Sequence, residues 1–364
     1  MVTGGVDRSW RERVTPSLLW LIERLARVHE LHVFALHYSR DPCSYPLLGA
    51  TIHDLGRVDG PPGLRRWRVR ARLARAIARF GPFDVFHAYM GGPGLVAAPL
   101  ATKLRVPLLL TLDSGEPVAL EDIDYGMQRR WFDRRALARA LRAAARVTVS
   151  TEFMASRPAL EGLDVSIVPI GVDTRIFPEA TRADGPPWRL LRVASLNRVK
   201  DHPTLLQAFR TIVNRGLDVH LDVVGEDTMG GAVHMQAALL DLLPRVKFHG
   251  VQTPDRLPGF YATAHLHVVS SRHEAASVAV LEAAATGLAT VGTRVGYVAD
   301  WSNTSAVAVP VGDANALAEA IIALLRDPAR RRRLAARARA WTMAHDADWT
   351  SVQFERLYRE AATR

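Results

Sequence analysis

The chain has 364 residues, 48% of them hydrophobic and 23% charged, with a net charge of +10 at pH 7. That is the composition of a folded globular protein, and at ~150 residues per domain the length predicts two domains, with room for a third. The single cysteine, Cys43, excludes a disulfide framework and any cysteine-built zinc or iron–sulfur site. No apolar run reaches the ~20 residues that span a bilayer, and Met1–Gly5 lacks the charged and apolar regions of a signal peptide. A cytoplasmic protein is the expectation. Lysine stands only at Lys103, Lys200 and Lys247, so arginine supplies the rest of the 47 basic residues. Both halves are mildly basic, which implies an anionic partner: a phosphorylated substrate, a membrane headgroup or a nucleic acid.

Taken in chain order, short apolar runs alternate with helical patterns. Arg11–Val28 reads as a helix, because Val14, Leu18, Leu21 and Leu25 recur at spacings of three and four. Leu31–Leu36, Asp84–His87, Pro107–Leu112, Val147–Ser150 and Ser166–Pro169 read as buried strands. The polar, turn-rich stretch Glu179–Trp188 reads as a linker. Beyond it, Leu190–Ser195, Val219–Gly225, Val246–Gly250, Leu266–Ser270 and Ala289–Gly292 read as strands, each followed by a helical segment. Strict β/α alternation predicts an α/β fold of two Rossmann-like, doubly wound parallel-sheet domains facing across a cleft, with ligands beyond the carboxyl ends of the strands. The expected domains are residues 1–178, joined by a last helix at 349–364 that packs back, and residues 186–345.

The most informative segment runs from Ser271 to Gly287. A strand ends at Ser270 or Ser271, a loop holds Glu274, and a helix starts near Ser277 with Glu282 about one turn inside. Both carboxylates can then point to one place. The amides of Ala276, Ser277 and Val278 form an anion site, since a helix start presents unpaired donors and a partial positive charge. A capped helix with two solvated glutamates is the plain alternative.

Glu274 and Glu282, followed by Ala-Ala-Ala-Thr-Gly287, resemble the signature of glycosyltransferase family 4, the retaining enzymes of the GT-B fold. Further pieces follow in that family's order: Pro169–Asp173 with Phe177, Ala194–His202, Val223–Gly225 and Val246–Gly250. The resemblance covers Gly4 to about Tyr358. It implies transfer of a hexose from a nucleotide diphosphate sugar (UDP-, GDP- or ADP-linked) to an acceptor hydroxyl, with retention and without a metal or other cofactor. Glu282 would take the ribose hydroxyls, Glu274 the donor sugar, and the amides of Ala276–Val278 the distal phosphate. Lys200 matches the family's phosphate lysine. The arginine usual five residues earlier is Ser195 here, so Arg198 becomes its candidate substitute, with Asn197 ordering the same loop.

In the first half, Gly4 and Gly5 resemble the family's glycine loop, after a first strand cut to Met1–Thr3. His87 matches a histidine at a strand end, a core histidine being the alternative. Asp113 stands where many relatives have histidine, which makes Glu116 the better candidate for the acceptor hydroxyl. The acceptor is a carbohydrate, a lipid-linked or a small molecule. Gly91–Gly94 lacks the dinucleotide-binding spacing, and Asp122-Ile-Asp124 is a weak metal pattern in an acidic loop. Arg65–Phe80 reads as a basic amphipathic helix with Trp67, Leu73, Ile77 and Phe80 near one face. It is either a solvated outer helix or a peripheral contact with anionic membrane. Beyond Trp67 and Trp131 the arginine segments lack the aromatic interleaving of nucleic-acid binders. A decayed nucleotide-sugar-binding protein, or an epimerase or phosphorylase on the same fold, are the competing functions.

Overall fold

The computed structural model describes residues 1–4, 16–36 and 39–363. The chain divides into two compact units, Met1–Ile170 with Ala347–Arg364, and Gly171–Asp346. The first contains strands β1 (Val2–Thr3), β2 (His32–Ala35), β3 (Cys43–Leu47), β4 (Ala50–Asp54), β5 (Phe86–Tyr89), β6 (Leu108–Leu112), β7 (Arg146–Val149) and β8 (Val165–Ile167). They form one sheet in the order β3-β4-β2-β1-β5-β6-β7-β8. Every pair is parallel except β3 with β4. β6 reads Leu-Leu-Leu-Thr-Leu and is buried at all positions, as a parallel strand covered on both faces must be.

The antiparallel hairpin corrects the strictly alternating pattern expected from the sequence. β3 alternates half-buried and exposed residues and carries Pro46, which an edge strand tolerates because one side of its backbone has no partner. Such a strand offers no continuous apolar run to read. The helix expected over 11–28 is seen at Pro16–Leu25, and its first part lies outside the described residues.

The second unit holds β9 (Trp188–Val193), β10 (Val219–Val224), β11 (Val246–Phe248), β12 (Leu266–Val269), β13 (Thr290–Thr293) and β14 (Ala306–Val309). All are parallel, in the order β11-β10-β9-β12-β13-β14. The core on this sheet includes Leu190, Leu205, Phe209, Leu221, Val268, Val291 and Ile321. The stretch read as a linker is fastened to this unit. Arg182 donates to the carbonyls of Ala180, Tyr261, Thr286 and Gly287 at 2.8–3.0 Å, and Trp188 already begins β9. Turn-forming residues marked an irregular path here, not the change of unit, which falls at Ile170–Gly171.

The last helix, Ala347–Ala362, belongs to the first unit. Phe354 and Leu357 enter the core formed by Leu18, Ile22, Leu25 and Ile52. Thr350 Oγ1 donates to the Pro169 carbonyl at 2.7 Å, and Arg24 Nε donates to Asp348 at 2.5 Å. Phe354 is 1% exposed, so Phe354→Ala is expected to cost ~3–5 kcal/mol of stability through lost burial and a residual cavity. Urea denaturation followed by circular dichroism measures it, and a loss within error would show that the helix is dispensable to that core.

Candidate functional site

In an open parallel sheet the loops at the strand carboxyl ends diverge where the winding reverses, and ligands bind there. In the second unit the reversal lies between neighbours β9 and β12, since β10 and β11 extend one way and β13 and β14 the other. The loop after β9 carries Lys200 and the loop after β12 carries Glu274, so adjacency of the strands brings the two together. Lys200 Nζ lies 2.7 Å from both Glu274 carboxylate oxygens. Glu274 is 7% exposed. Burial pushes its carboxyl up, but the charges of Lys200 and Arg192 and the bonds from Lys200 and Ser271 hold it below the usual range. It is an ionised carboxylate in a nearly dry place.

Asn197 orders the lysine loop, as expected: its Oδ1 accepts from the Lys200 amide at 3.1 Å and its Nδ2 donates to Ser195 Oγ at 2.9 Å. Arg198 does not join the cluster. In the tight turn Arg198–Lys200 the side chain of Val199 is buried while Arg198 is exposed, so Arg198 takes no part in holding the Lys200–Glu274 pair. The arginine that does reach the pair is Arg192, in β9 and 1% exposed. It donates to Ser271 Oγ at 2.7 Å and to the carbonyls of Val268 at 3.3 Å and Lys200 at 3.4 Å. Ser271 Oγ in turn donates to Glu274 Oε1 at 2.6 Å. The signal for Arg192 was present: an arginine between leucines and valine in an inner strand has nowhere to go but inside.

The helix Val278–Ala285 starts after Ser277, which stands at the N-cap position with φ +84° and makes no side-chain capping bond among the described residues. Among the described residues no backbone acceptor takes the amides of Ala276, Ser277 or Val278, so they remain available to an anion. Gly296 lets a neighbouring helix start approach this loop. At its φ of +49°, a Cβ would stand 2.6 Å from the Ala276 carbonyl oxygen and 3.0 Å from Glu274 Cβ. Glu282 is buried on the same helix and accepts from Tyr261 Oη at 2.6 Å. Burial without a cation pushes its carboxyl up to about 7, opposed by that hydrogen bond. Tyr261 was not singled out from the sequence, since a tyrosine in an apolar helix reads as core.

In the first unit the reversal lies between β1 and β5. Gly4 follows β1 as a half-buried bend, and Gly5 lies outside the described residues. Asp113 follows β6, half-buried, and accepts from Tyr89 Oη at 3.0 Å and Ser150 Oγ at 3.1 Å. Glu116 is 3% exposed, and its two oxygens accept the amides of Gly91 and Ser114 at 2.8 Å each. Gly91 is required there, because a Cβ would meet Glu116 Cγ at 2.6 Å. The preference for Glu116 over Asp113 is therefore corrected: Glu116 is spent on backbone amides, and Asp113 is the more accessible carboxylate.

His87 is also corrected as a catalytic candidate. Its Nδ1 lies 2.6 Å from Tyr358 Oη and its Nε2 2.7 Å from Thr111 Oγ1, and burial pushes it down to about 3. Both ring nitrogens are occupied, and His87 lines a cavity of about 490 Å³ together with residues preceding β2 and β5. That is the amino end of the strands, the opposite end from Gly4 and Asp113.

On the helix Pro62–Phe80, Val69, Leu73 and Ile77 are buried, whereas Trp67 is 62% exposed, so Trp67 departs from the face expected of it. Arg66 bonds Asp133 at 2.9 Å, tying this helix to Trp131–Ala143, where Trp131 and Phe132 are 50% and 75% exposed. Asp124 and Glu121 pair with Arg129, and among the described residues no three His, Cys, Asp or Glu side chains are grouped to hold a metal ion. No helix among them is long and apolar enough to cross a membrane.

Two family models match: "Glycosyltransferase Family 4" over residues 16–176 and "Glycosyl transferases group 1" over residues 173–341. EpsF of Bacillus subtilis strain 168 is 26% identical over 304 residues, 79% of this chain and 76% of its own. Sucrose-phosphate synthase from Thermosynechococcus elongatus superposes with a TM-score of 0.80 at 22% identity, covering 93% of this chain and 91% of that one. HepE of Anabaena, in complex with UDP-glucose, superposes with a TM-score of 0.76 at 16% identity over 99% of both chains.

The raised carboxyl of Glu282 has a pH consequence. Its folded value of about 7 lies above the ordinary 4.5, so the stability tied to its neutral form is complete below pH 4.5 and lost as pH rises through 7. Glu282→Gln carries no such loss. Urea denaturation at a series of pH values should find the variant gaining on the wild type from pH 4.5 upward, and parallel curves would refute the buried, cation-free carboxyl.

Proposed function

The chain belongs to glycosyltransferase family 4, the glycosyltransferases of the GT-B fold, and from that premise we propose that it moves a hexose from a nucleotide diphosphate sugar to an acceptor hydroxyl with retention of anomeric configuration. The observation that carries this reading is the Lys200–Glu274 pair beside unclaimed helix amides, at the place where the second sheet reverses its winding. Lys200 and the amides of Ala276–Val278 neutralise the diphosphate, and Glu274 accepts hydrogen bonds from the sugar hydroxyls. Glu282 takes the ribose hydroxyls when Tyr261 yields its place.

Transfer breaks the bond from the anomeric carbon to the phosphate oxygen and forms one to the acceptor oxygen on the same face. The acceptor proton passes to the departing phosphate. Charge builds on that phosphate in the transition state, so a fixed cation and fixed amide dipoles aimed at it lower the barrier. No metal is invoked, because those groups supply the positive charge. Asp113, half-buried after β6, is the acceptor-side carboxylate, and Glu116 shapes its loop through the Gly91 and Ser114 amides. HepE, a protein of the same fold, binds UDP-glucose, which favours a nucleotide sugar as donor.

The same reading extends to a cytoplasmic enzyme with a lipid-linked acceptor. The helix Pro62–Phe80 and the start of Trp131–Ala143 present exposed Trp67, Trp131 and Phe132 among arginines. Aromatic rings at headgroup depth with surrounding cations suit an anionic bilayer surface.

Thermal-shift screening against UDP-, GDP- and ADP-sugars tests the donor: at ~100 times its dissociation constant a true donor stabilises by ~2.7 kcal/mol. A flat response to all of them overturns the donor reading. With the donor found, Lys200→Ala is expected to lower kcat by ~10²–10³-fold, measured by transfer of labelled sugar, and unchanged turnover excludes the assigned role. For the membrane, co-sedimentation with phosphatidylglycerol vesicles should fall when Trp131 and Phe132 are replaced by Ala. Failure of the wild type to sediment at low salt would remove that partner.

A further inference from the structure

Arg192 is a charge in a place where packing alone would favour an apolar side chain. It sits in β9, between β10 and β12, and is 1% exposed. Desolvating a guanidinium is expensive, and an apolar side chain of similar volume often costs less. Among the described residues its Nε has no hydrogen-bond partner, so the guanidinium does not even recover all of its donors there. Burial pushes Arg192 down, and Glu274 foremost among its neighbours pulls it back up.

The three bonds it makes are not scattered. One goes to the Lys200 carbonyl at 3.4 Å, which also accepts from Ser270 Oγ at 2.9 Å. One goes to the Val268 carbonyl at 3.3 Å, in β12. The shortest, 2.7 Å, goes to Ser271 Oγ. Since that oxygen accepts from Arg192, its own proton is directed to Glu274 Oε1, 2.6 Å away. A single buried guanidinium thus grips one partner of the ion pair through its backbone and the other through a serine relay. It also bonds the strand that neighbours its own, so both loops are referenced to the rigid part of the sheet.

We propose that Arg192 is a positioning residue: through Ser271 and the Lys200 carbonyl it sets the geometry of the Lys200–Glu274 pair before any ligand arrives. What the pair then does rests on the glycosyl-transfer reading, but the positioning stands on contacts within one unit. A catalytic cation must be held in place by groups that do not themselves move, and a fork of fixed shape inside a strand meets that requirement where a lysine would not.

The chain's three lysines make the test selective. Lys103 and Lys247 are exposed, whereas the Lys200 side chain is 23% exposed and paired. An ammonium held against a carboxylate acetylates slowly. Under limiting N-hydroxysuccinimidyl acetate, followed by peptide mass spectrometry, Arg192→Met is expected to raise the acetylation rate of Lys200 several-fold while Lys103 and Lys247 keep theirs. Ser271→Ala should act in the same direction by a smaller factor. Being a small truncation, it decides the question if Arg192→Met does not fold. Arg192→Lys should not restore protection. With a donor in hand, Ser271→Ala should lower kcat more than it raises the donor KM, because geometry is lost while the phosphate contacts remain. Unchanged Lys200 labelling in folded Arg192→Met and Ser271→Ala proteins overturns the proposal. The labelling needs no nucleotide, so its outcome is independent of whether any donor binds.

Discussion

The second unit turns on keeping one carboxylate charged where water scarcely reaches. Glu274 would be driven neutral by its surroundings, and two cations, one at its oxygens and one behind a serine, hold it ionised. Glu282, on the helix that follows, shows the result without them: also buried, and among the described residues bonded to a phenol, it is pushed up to about 7. Two acids of one sequence motif therefore differ in charge near neutrality because of what stands beside each, the usual way a fold divides labour between like groups. The arrangement depends on β9 and β12 being neighbours across the reversal of winding, which opens space beyond their ends while keeping their loops within reach.

The first unit handles its acids differently. Glu116 is buried against two backbone amides and behaves as a staple that shapes the turn after β5. Asp113 accepts from a tyrosine and a serine hydroxyl, which orient its carboxylate. His87 is locked between Tyr358 and Thr111, with Thr111 passing the chain on to Thr148 at 2.7 Å. That is a satisfied polar thread through a core, and it ties the last helix to the sheet.

Most of the architecture could be read in advance because parallel strands buried on both faces advertise themselves as short apolar runs. The strands that escaped lack that signal: β3 is an edge strand with a proline, β4 mixes Thr51, His53 and Asp54 with two apolar residues, and β14 is a four-residue run of alternating alanine and valine. At the site, Glu274, Lys200, Asn197 and the helix amides stood in a recognisable order, and the fold brings them together. Misjudged residues were those whose role depends on a partner distant in sequence. Arg198 and Arg192 are alike as letters, but a turn exposes one and a strand buries the other. Glu116 and Asp113 changed rank because hydrogen bonding, invisible in composition, consumes the first.

Because the last helix completes the first unit, that unit is interrupted by the whole of the second. During synthesis, the apolar ring of Leu18, Ile22, Leu25 and Ile52 must await Phe354 and Leu357. At ~5–20 residues per second the wait from Ile52 to Phe354 is roughly 15–60 s, while the continuous second unit is free to close as soon as it clears the ribosome. The amino-terminal sheet is thus the last to mature, and its half-covered surface is where a chaperone would be needed most.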